Sequence, residues 1–375
     1  MNKYTSESFA LRFYEERKFD LHYRPGMPPA QREQWKAQLK AKVRELMAFP
    51  DEMYETPIVN LLLRKDRGTH IVEKYEISPE PNLWMTFLLL TPKSASEEQK
   101  TPAVLCTPGT RWNKECLAGE DFQDLTYDPP QPPTGLNHRY YYANAMALHY
   151  VHHGFTALAC EDLGVGEHSA GMKITDLEKL LIGMGRSVMG VTVELRYAMM
   201  QWLKTRPWVD RSRLAVSGHS LGVDSLMHLV TLDEEITGFI YNDWICDWQK
   251  NIVHVDLVNG HVPNTPWHMY SEIYKWYTYP DLLAAYAPRK LFITEGGAED
   301  ELLRLKQVYT DLGAGNNFRY DFYPEYTDPA KRLHTDNPLR KGMTNMEYVD
   351  YNNVFPDKHF FKFETAVPWL VEAMK

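Results

Sequence analysis

One strand-turn-helix segment constrains the fold of this chain more than any other stretch. A short apolar run, 214–216, leads into the turn Gly218-His-Ser220-Leu-Gly222, and an apolar segment with helical spacing follows. A Gly-x-Ser-x-Gly turn in this context holds its serine in a tight bend at the end of a strand. The two glycines remove Cβ atoms that would collide with the helix or the adjacent strand. Ser220 is therefore the predicted nucleophile, and the alternative is an ordinary strand-helix turn bounded by glycines.

Strand-like and helix-like segments alternate along most of the chain. Short apolar runs predict strands, and segments with apolar residues three and four apart predict helices. The predicted strands are 70–77, 83–90, 103–106, 154–159, 214–216, 236–241, 289–294 and 318–323, and the predicted helices are 140–153, 177–203, 301–312 and 363–374. The first two strands are separated by a Pro-rich connection typical of a hairpin. This order predicts an α/β fold, with a mostly parallel central sheet and helices on both faces.

The first 65 residues have a different pattern. After Pro28-Pro29 the apolar positions fall on one helical stripe and the other positions are charged or amidic, as expected of a helix that docks by one face. The stripe consists of Trp35, Leu39, Val43, Leu46 and Met47. We therefore divide the chain into a helical N-terminal extension, residues 1–65, and a catalytic domain, residues 66–375.

Charge and cysteine content exclude several classes of function. The net charge is -9, from 41 basic and 50 acidic residues, which disfavours nucleic acid or an anionic membrane as the partner. The four cysteines have no C-x-x-C spacing, so we predict buried free thiols and neither a disulfide framework nor a zinc site. No apolar run reaches the length of a signal peptide or a membrane span. The expected protein is soluble and cytoplasmic, acts on a small molecule, and has an oligomeric state that one chain does not reveal.

A serine hydroxyl becomes a good nucleophile only when a base removes its proton, and an acid must orient that base. On a scaffold with this turn the acid and then the base follow the serine along the chain. The predicted strand 289–294 is followed by Glu295-Gly-Gly-Ala-Glu299-Asp300-Glu301, and Asp300 is the predicted acid. Its neighbours Glu299 and Glu301 are equally explained by a solvated first helical turn. A rival position for the acid is the end of the preceding strand, at Asp243 and Asp247.

The predicted base is His359, which lies in a loop just before the last helix. The rival base is His334, in the loop after the 318–323 strand. Six other histidines form two groups, one with structural interpretations and one whose spacing fits no metal-binding motif, and we predict no metal. The first group is His219, His152 and His153, and the second is His254, His261 and His268.

The oxyanion formed by attack on a carbonyl requires two backbone donors that are already in place. One is predicted to be the N–H of Leu221, the residue after the nucleophile. The other is expected in the glycine turn after strand 103–106, since ligand-binding backbone lies at the carboxyl ends of such strands. Within that turn, Gly109-Thr110-Arg111, we favour Thr110.

Together these segments resemble the α/β-hydrolase superfamily, and within it the dienelactone-hydrolase and acetylxylan-esterase-like branch. The resemblance runs from about residue 70 to the C-terminus. Its motifs are the Pro108-Gly109 turn with Asn113-Lys-Glu115, Asp162-x-x-Gly-x-Gly166, Arg206-Pro-Trp-Val-Asp210, Gly218-His-Ser-Leu-Gly222, Ala287-Pro-Arg-Lys-Leu-Phe, Gly297-Ala-Glu-Asp300, and His359 before Ala366-Val-Pro-Trp-Leu370. It implies ester hydrolysis by a Ser220-His359-Asp300 triad without a cofactor. This chain departs from the family in having Pro108 where a histidine is usual, and about thirty extra residues before His359.

Aromatic residues are dense in the insertion 244–279, and three of them, Trp244, Trp248 and Trp267, are candidate substrate contacts. Such rings stack on sugars or aromatic acyl groups, although they equally pack an insertion onto a sheet. The expected activity is hydrolysis of acyl, acetyl-type esters of a carbohydrate or similar polyol. Two further functions fit the same scaffold, a peptidase or lactone hydrolase and a catalytically inactive binding module.

Overall fold

The computed structural model describes residues 16–110, 112–120, 138–246, 265–332 and 344–375, together with residues 5, 8, 9 and 12. Within these residues, nine strands form one sheet in the order β1-β2-β3-β5-β4-β6-β7-β8-β9. The strands are β1 Ile58–Asp66, β2 His70–Glu80, β3 Leu83–Pro92, β4 Thr101–Thr107, β5 Thr156–Ala159, β6 Val209–His219, β7 Ile236–Asn242, β8 Lys290–Ile293 and β9 Phe318–Tyr320.

The sheet is antiparallel at one side and parallel in the rest. Strands β1, β2 and β3 pair antiparallel, and β3 also pairs antiparallel with β5. From β5 through β4, β6, β7 and β8 to β9 every pairing is parallel. The central strands β4 and β5 are almost entirely buried, as parallel strands covered on both faces require. The predicted α/β fold with a mostly parallel sheet is confirmed.

Twelve helices lie in the described part of the chain. They are α1 Pro29–Met47, α2 Lys114–Ala118, α3 His138–Ala143, α4 Met146–His152, α5 Ile174–Gly183, α6 Val188–Lys204, α7 Gly222–Leu232, α8 Thr265–His268, α9 Tyr279–Tyr286, α10 Glu299–Asp311, α11 Asn345–Tyr351 and α12 Phe363–Ala373. One buried apolar cluster joins α1, α6, α7, α9 and α10 to one face of the sheet. A second joins α2, α4 and α12 to the other face.

The N-terminal segment contributes both a helix and a strand. The stripe of α1 is buried in the larger core cluster through Trp35, Leu39, Val43 and Met47, with Leu46 partly buried beside it. Strand β1, which the helical pattern of residues 1–65 does not predict, forms the edge of the sheet. The division of the chain into two domains therefore stays a prediction.

The predicted long helix over 177–203 is two helices. Its break follows α5, where Gly185 has φ of 74°, a left-handed conformation that interrupts a helix. Ser187 then caps α6 by accepting a hydrogen bond from the N–H of Gly190 at 2.9 Å. The predicted helix 140–153 is likewise divided, into α3 and α4.

Two further expectations concern cysteines and membranes. Cys106, Cys116, Cys160 and Cys246 are all buried free thiols, as predicted. None of the described helices has both the length and the apolar character that a membrane crossing needs.

Candidate active site

Ser220 lies in a strained turn between β6 and α7. Its φ is 50°, a left-handed conformation that residues other than glycine rarely adopt. A Cβ atom at Gly218 would lie 2.9 Å from Leu226, and one at Gly222 would lie 2.5 Å from the carbonyl oxygen of Pro108. The glycines on both sides are therefore required by close approach, as the motif predicts. The turn leaves Ser220 half-buried at the carboxyl edge of the sheet.

The loop after β4 passes directly beside this serine. A Cβ atom at Gly109 would lie 3.3 Å from the Cβ of Ser220. Thr110, the predicted second oxyanion donor, follows immediately in the same turn. Leu221 stands at the N-terminus of α7, and within the described part of the chain its N–H donates no hydrogen bond. A free N–H at a helix N-terminus is suited to stabilise an anion.

His359 reaches the same edge from the far end of the chain. It follows a short 3-10 turn, Pro356–Lys358, and precedes α12. Its ring centroid lies 4.6 Å from that of His219, the residue before Ser220, and 5.1 Å from Trp244. Ser220 and His359, both described, make no direct hydrogen bond with each other. Catalytic hydrogen bonds of this kind often tighten only when substrate is bound.

The carboxylate in contact with His359 is that of Glu295. Nδ1 of His359 lies 2.6 Å from Oε2 of Glu295, and Nζ of Lys362 lies 2.5 Å from Oε1. Glu295 is fully buried, and burial alone would raise its pKa, but His359 and Lys362 lower the pKa to about 2. The carboxylate is therefore ionised, and it accepts the Nδ1–H of His359. The lone pair of Nε2 is then available as a base.

The structure does not bring Asp300 to His359, which corrects the predicted acid. After Glu295 the chain turns through Gly296 and Gly297, both with positive φ, and Gly297 forms a bridge with Ile245. This connection carries the next carboxylates into the first turn of α10, where Asp300 is exposed. Its neighbours pair elsewhere, Glu299 with Arg332 at 3.1 Å and Glu301 with Arg304 at 2.7 Å.

Asp243, one of the two rival acids, is also at the site. Ligand atoms of Asp243, Glu295 and His359 all lie within 4.8 Å of one another. Burial and the charge of Glu295 raise the pKa of Asp243 well above its usual range, which favours the neutral form of this carboxyl. Both oxygens of Glu295 already accept from cationic or ring N–H donors, which fits a charge pair better than a metal site. The second rival acid, Asp247, and the rival base, His334, lie outside the described residues.

The three candidate tryptophans differ in position. Trp244 is 8% exposed and contacts the ring of His359 edge-on, so it packs against this histidine and presents little surface to a ligand. Trp267 is half-buried, and its indole N–H donates to the carbonyl of Leu163 at 2.8 Å. That bond anchors the insertion to the loop after β5. Trp248 lies outside the described residues.

Two sequence motifs meet in a buried charge cluster between the segments that follow β4 and β5. Nζ of Lys114 lies 3.1 Å from Glu115, 3.1 Å from Glu161 and 2.8 Å from Glu167. Burial raises the pKa of Glu161 to about 7, against the opposing effect of Lys114. A Cβ atom at Gly166 would lie 2.3 Å from the Glu161 carboxylate, so this glycine makes room for it. The cluster ties the loop after β4 to the loop after β5.

A family comparison agrees with this geometry. The model of the Abhydrolase family matches residues 4–372. The chain belongs to that family. The predicted membership of the α/β-hydrolase superfamily is therefore confirmed, and the glycine-bounded serine turn of this abhydrolase lies between a central strand and a helix, as that resemblance implies.

Solved structures with the same fold include several esterases. A structure from Bacteroides fragilis that carries the provisional name acetyl xylan esterase is 29% identical, with a TM-score of 0.87 over 98% of this chain and 95% of that one. A glucuronoyl esterase from Solibacter usitatus is 12% identical, with a TM-score of 0.60 over 96% of this chain and 97% of that one. The methylesterase BT1017 is 17% identical, with a TM-score of 0.55 over 92% of this chain and 68% of that one. The last two likenesses show the fold alone. No curated protein matches this abhydrolase.

Proposed function

We propose that this abhydrolase is a serine carboxylic-ester hydrolase with the triad Ser220, His359 and Glu295. The observation that carries the proposal is the 2.6 Å contact between His359 and Glu295 beside a serine held at positive φ. An ionised acid on Nδ1 leaves Nε2 as the base, which is the arrangement that activates a serine hydroxyl. The 29% identity to a structure provisionally named an acetyl xylan esterase supports the ester-hydrolase class.

The reaction has two stages. In the first, Nε2 of His359 takes the hydroxyl proton of Ser220 while Oγ attacks the ester carbonyl, and the oxyanion is stabilised by the N–H of Leu221 and the turn at Thr110. The imidazolium gives its proton to the leaving alcohol, which yields an acyl-serine. In the second stage Nε2 of His359 takes a proton from water while the water oxygen attacks the acyl carbonyl. The imidazolium then returns that proton to Oγ of Ser220 as the bond between Oγ and the acyl carbon breaks, and the carboxylic acid is released. Glu295 stays ionised throughout and stabilises the imidazolium.

The proposed substrate is an acyl ester, of acetyl type, on a carbohydrate or similar polyol. Its support is the acetyl xylan name of the Bacteroides fragilis structure, which is 29% identical to this chain.

A substrate panel tests this proposal. The wild type and Ser220→Ala are compared on p-nitrophenyl acetate, acetylated xylo-oligosaccharides, a methyl uronate ester, a lactone and a peptide anilide. We expect acetate release from the first two by the wild type and a loss of at least about 10³-fold in Ser220→Ala. Hydrolysis of the anilide or the lactone alone would indicate a peptidase or a lactone hydrolase and contradict the esterase proposal. Undiminished activity of Ser220→Ala would show that Ser220 is not the nucleophile.

A further inference from the structure

Asn242, the last residue of β7, makes four hydrogen bonds with its side chain alone. Its Oδ1 accepts from the backbone N–H of Lys362 and from Oγ1 of Thr294, both at 2.8 Å. Its Nδ2 lies 3.3 Å from the carbonyl oxygen of Phe360 and 2.9 Å from Nδ1 of His219. The side chain is completely buried. Both lone pairs and both protons of the amide therefore have partners.

Two of these partners fix the direction of the amide. The N–H of Lys362 can only donate and the carbonyl of Phe360 can only accept, so a flipped amide would set donor against donor and acceptor against acceptor. Oδ1 must face Lys362 and Nδ2 must face Phe360. The orientation of Asn242 is thus determined by the backbone on both sides of Phe361.

The amide in turn fixes the tautomer of His219. Because Nδ2 is a donor, Nδ1 of His219 must be the unprotonated acceptor, and the ring proton is on Nε2. Nδ1 of His219 also lies 3.3 Å from the backbone carbonyl oxygen of Asn242. Because neither atom then carries a proton, this contact is not a hydrogen bond. Burial and His359 lower the pKa of His219 to about 3, which agrees with a neutral ring.

Three of the four partners are chain neighbours of a proposed triad member. His219 precedes Ser220, Thr294 precedes Glu295, and Phe360 follows His359. The backbone also takes part, since the N–H of Ser220 donates to the Asn242 carbonyl at 3.0 Å. One buried residue therefore joins the nucleophile turn, the end of the acid's strand and the loop of the base.

We propose that Asn242 is a positioning residue that sets the nucleophile, acid and base at their working separation. The inference rests on the proposed triad. Asn242 is buried behind the catalytic groups, so its loss lowers kcat and leaves KM unchanged. A misplacement of about 1 Å between reacting groups costs about 10²-fold in rate.

The test compares Asn242→Ala and the near-isosteric Asn242→Asp with Thr156→Val. Thr156 is a matched control because it is also buried in the sheet and its hydroxyl lies 2.7 Å from that of Thr101, at the opposite end of the strands. On p-nitrophenyl acetate we expect kcat to fall at least about tenfold in Asn242→Asp and about 10²-fold in Asn242→Ala, with KM within about threefold of wild type. Thr156→Val should keep wild-type kcat.

Wild-type kcat in a folded Asn242→Asp protein, or an equal loss in Thr156→Val, overturns the proposal. Nitrogen-15 NMR of histidines in the wild type is independent of any variant, with His219→Gln as the assignment control. It should show His219 neutral with its proton on Nε2, and a proton on Nδ1 contradicts the inference. If Ser220→Ala remains active, the proposed triad fails. If Ser220→Ala is inactive and Asn242→Asp is unimpaired, only the role of Asn242 fails.

Discussion

Nδ1 of His359 lies 2.6 Å from Oε2 of Glu295, although the two residues are 64 positions apart in the chain. The contact joins the end of β8 to the loop before α12 and is supported by Lys362 on the other carboxylate oxygen. It makes Glu295 the acid of the proposed triad and leaves Asp300 in solvent.

Neutralising Glu295 should therefore impair catalysis far more than neutralising Asp300. Glu295→Gln keeps the shape but removes the charge that holds the Nδ1–H tautomer, so we expect kcat to fall by about 10³–10⁴-fold. Asp300→Asn is the matched control and should stay within about twofold of wild type. Steady-state kinetics on p-nitrophenyl acetate measure both losses of kcat. A larger loss in Asp300→Asn than in Glu295→Gln would show that Asp300 is the acid.

The positive φ of Ser220 predicts a stability difference between two inactive variants. Glycine adopts a left-handed conformation without steric cost, whereas alanine there retains the strain of an L-residue. Ser220→Gly should therefore be more stable than Ser220→Ala by about 1 kcal/mol in urea unfolding. Equal stabilities would show that the turn is not strained.

Removing Lys114 should destabilise the whole fold. The substitution Lys114→Met leaves the three surrounding carboxylates without this cation, and breaking a buried ion pair costs about 3–5 kcal/mol. Lys179→Met is the control, because the Lys179–Asp176 pair is exposed and its loss should leave Tm unchanged. If both variants have the Tm of the wild type, the charge cluster around Lys114 does not stabilise the loops after β4 and β5.

The low pKa of Glu295 predicts a loss of stability in acid. Its pKa is about 2 in the folded chain against an ordinary value of 4.5, so its ionised form favours folding. That contribution is complete above about pH 4.5 and is lost as the pH falls toward 2. Urea unfolding at several pH values should show the difference between wild type and Glu295→Gln shrinking over this range. A constant difference would mean that His359 and Lys362 do not lower this pKa.

Much of the fold follows from local patterns. The strand periods, the amphipathic stripe of α1 and the glycine-bounded turn at Ser220 are local signals, and the structure confirms each of them. The break at Gly185 does not follow from the sequence, because the apolar pattern typical of a helix continues through it. The edge strand β1 does not follow either, because the residues before it have a helical pattern.

The site is only partly predictable for a related reason. The sequence suggests His359 because a loop before a terminal helix can reach the serine edge. It predicts Asp300 as the acid and does not identify Glu295, because the course of the chain after β8 depends on the bridge between Gly297 and Ile245, a long-range contact. Asn242 belongs to no motif, and its role becomes visible only from four hydrogen bonds to distant segments.

The most direct measurement is covalent labelling of the chain with a fluorophosphonate, followed by peptide mass spectrometry and by inactivation rates of variants. We expect modification at Ser220, an inactivation rate at least about 10³-fold lower in His359→Ala, and a near wild-type rate in His334→Ala. Labelling at another residue would contradict the proposed triad. Slow inactivation of His334→Ala together with fast inactivation of His359→Ala would contradict it as well.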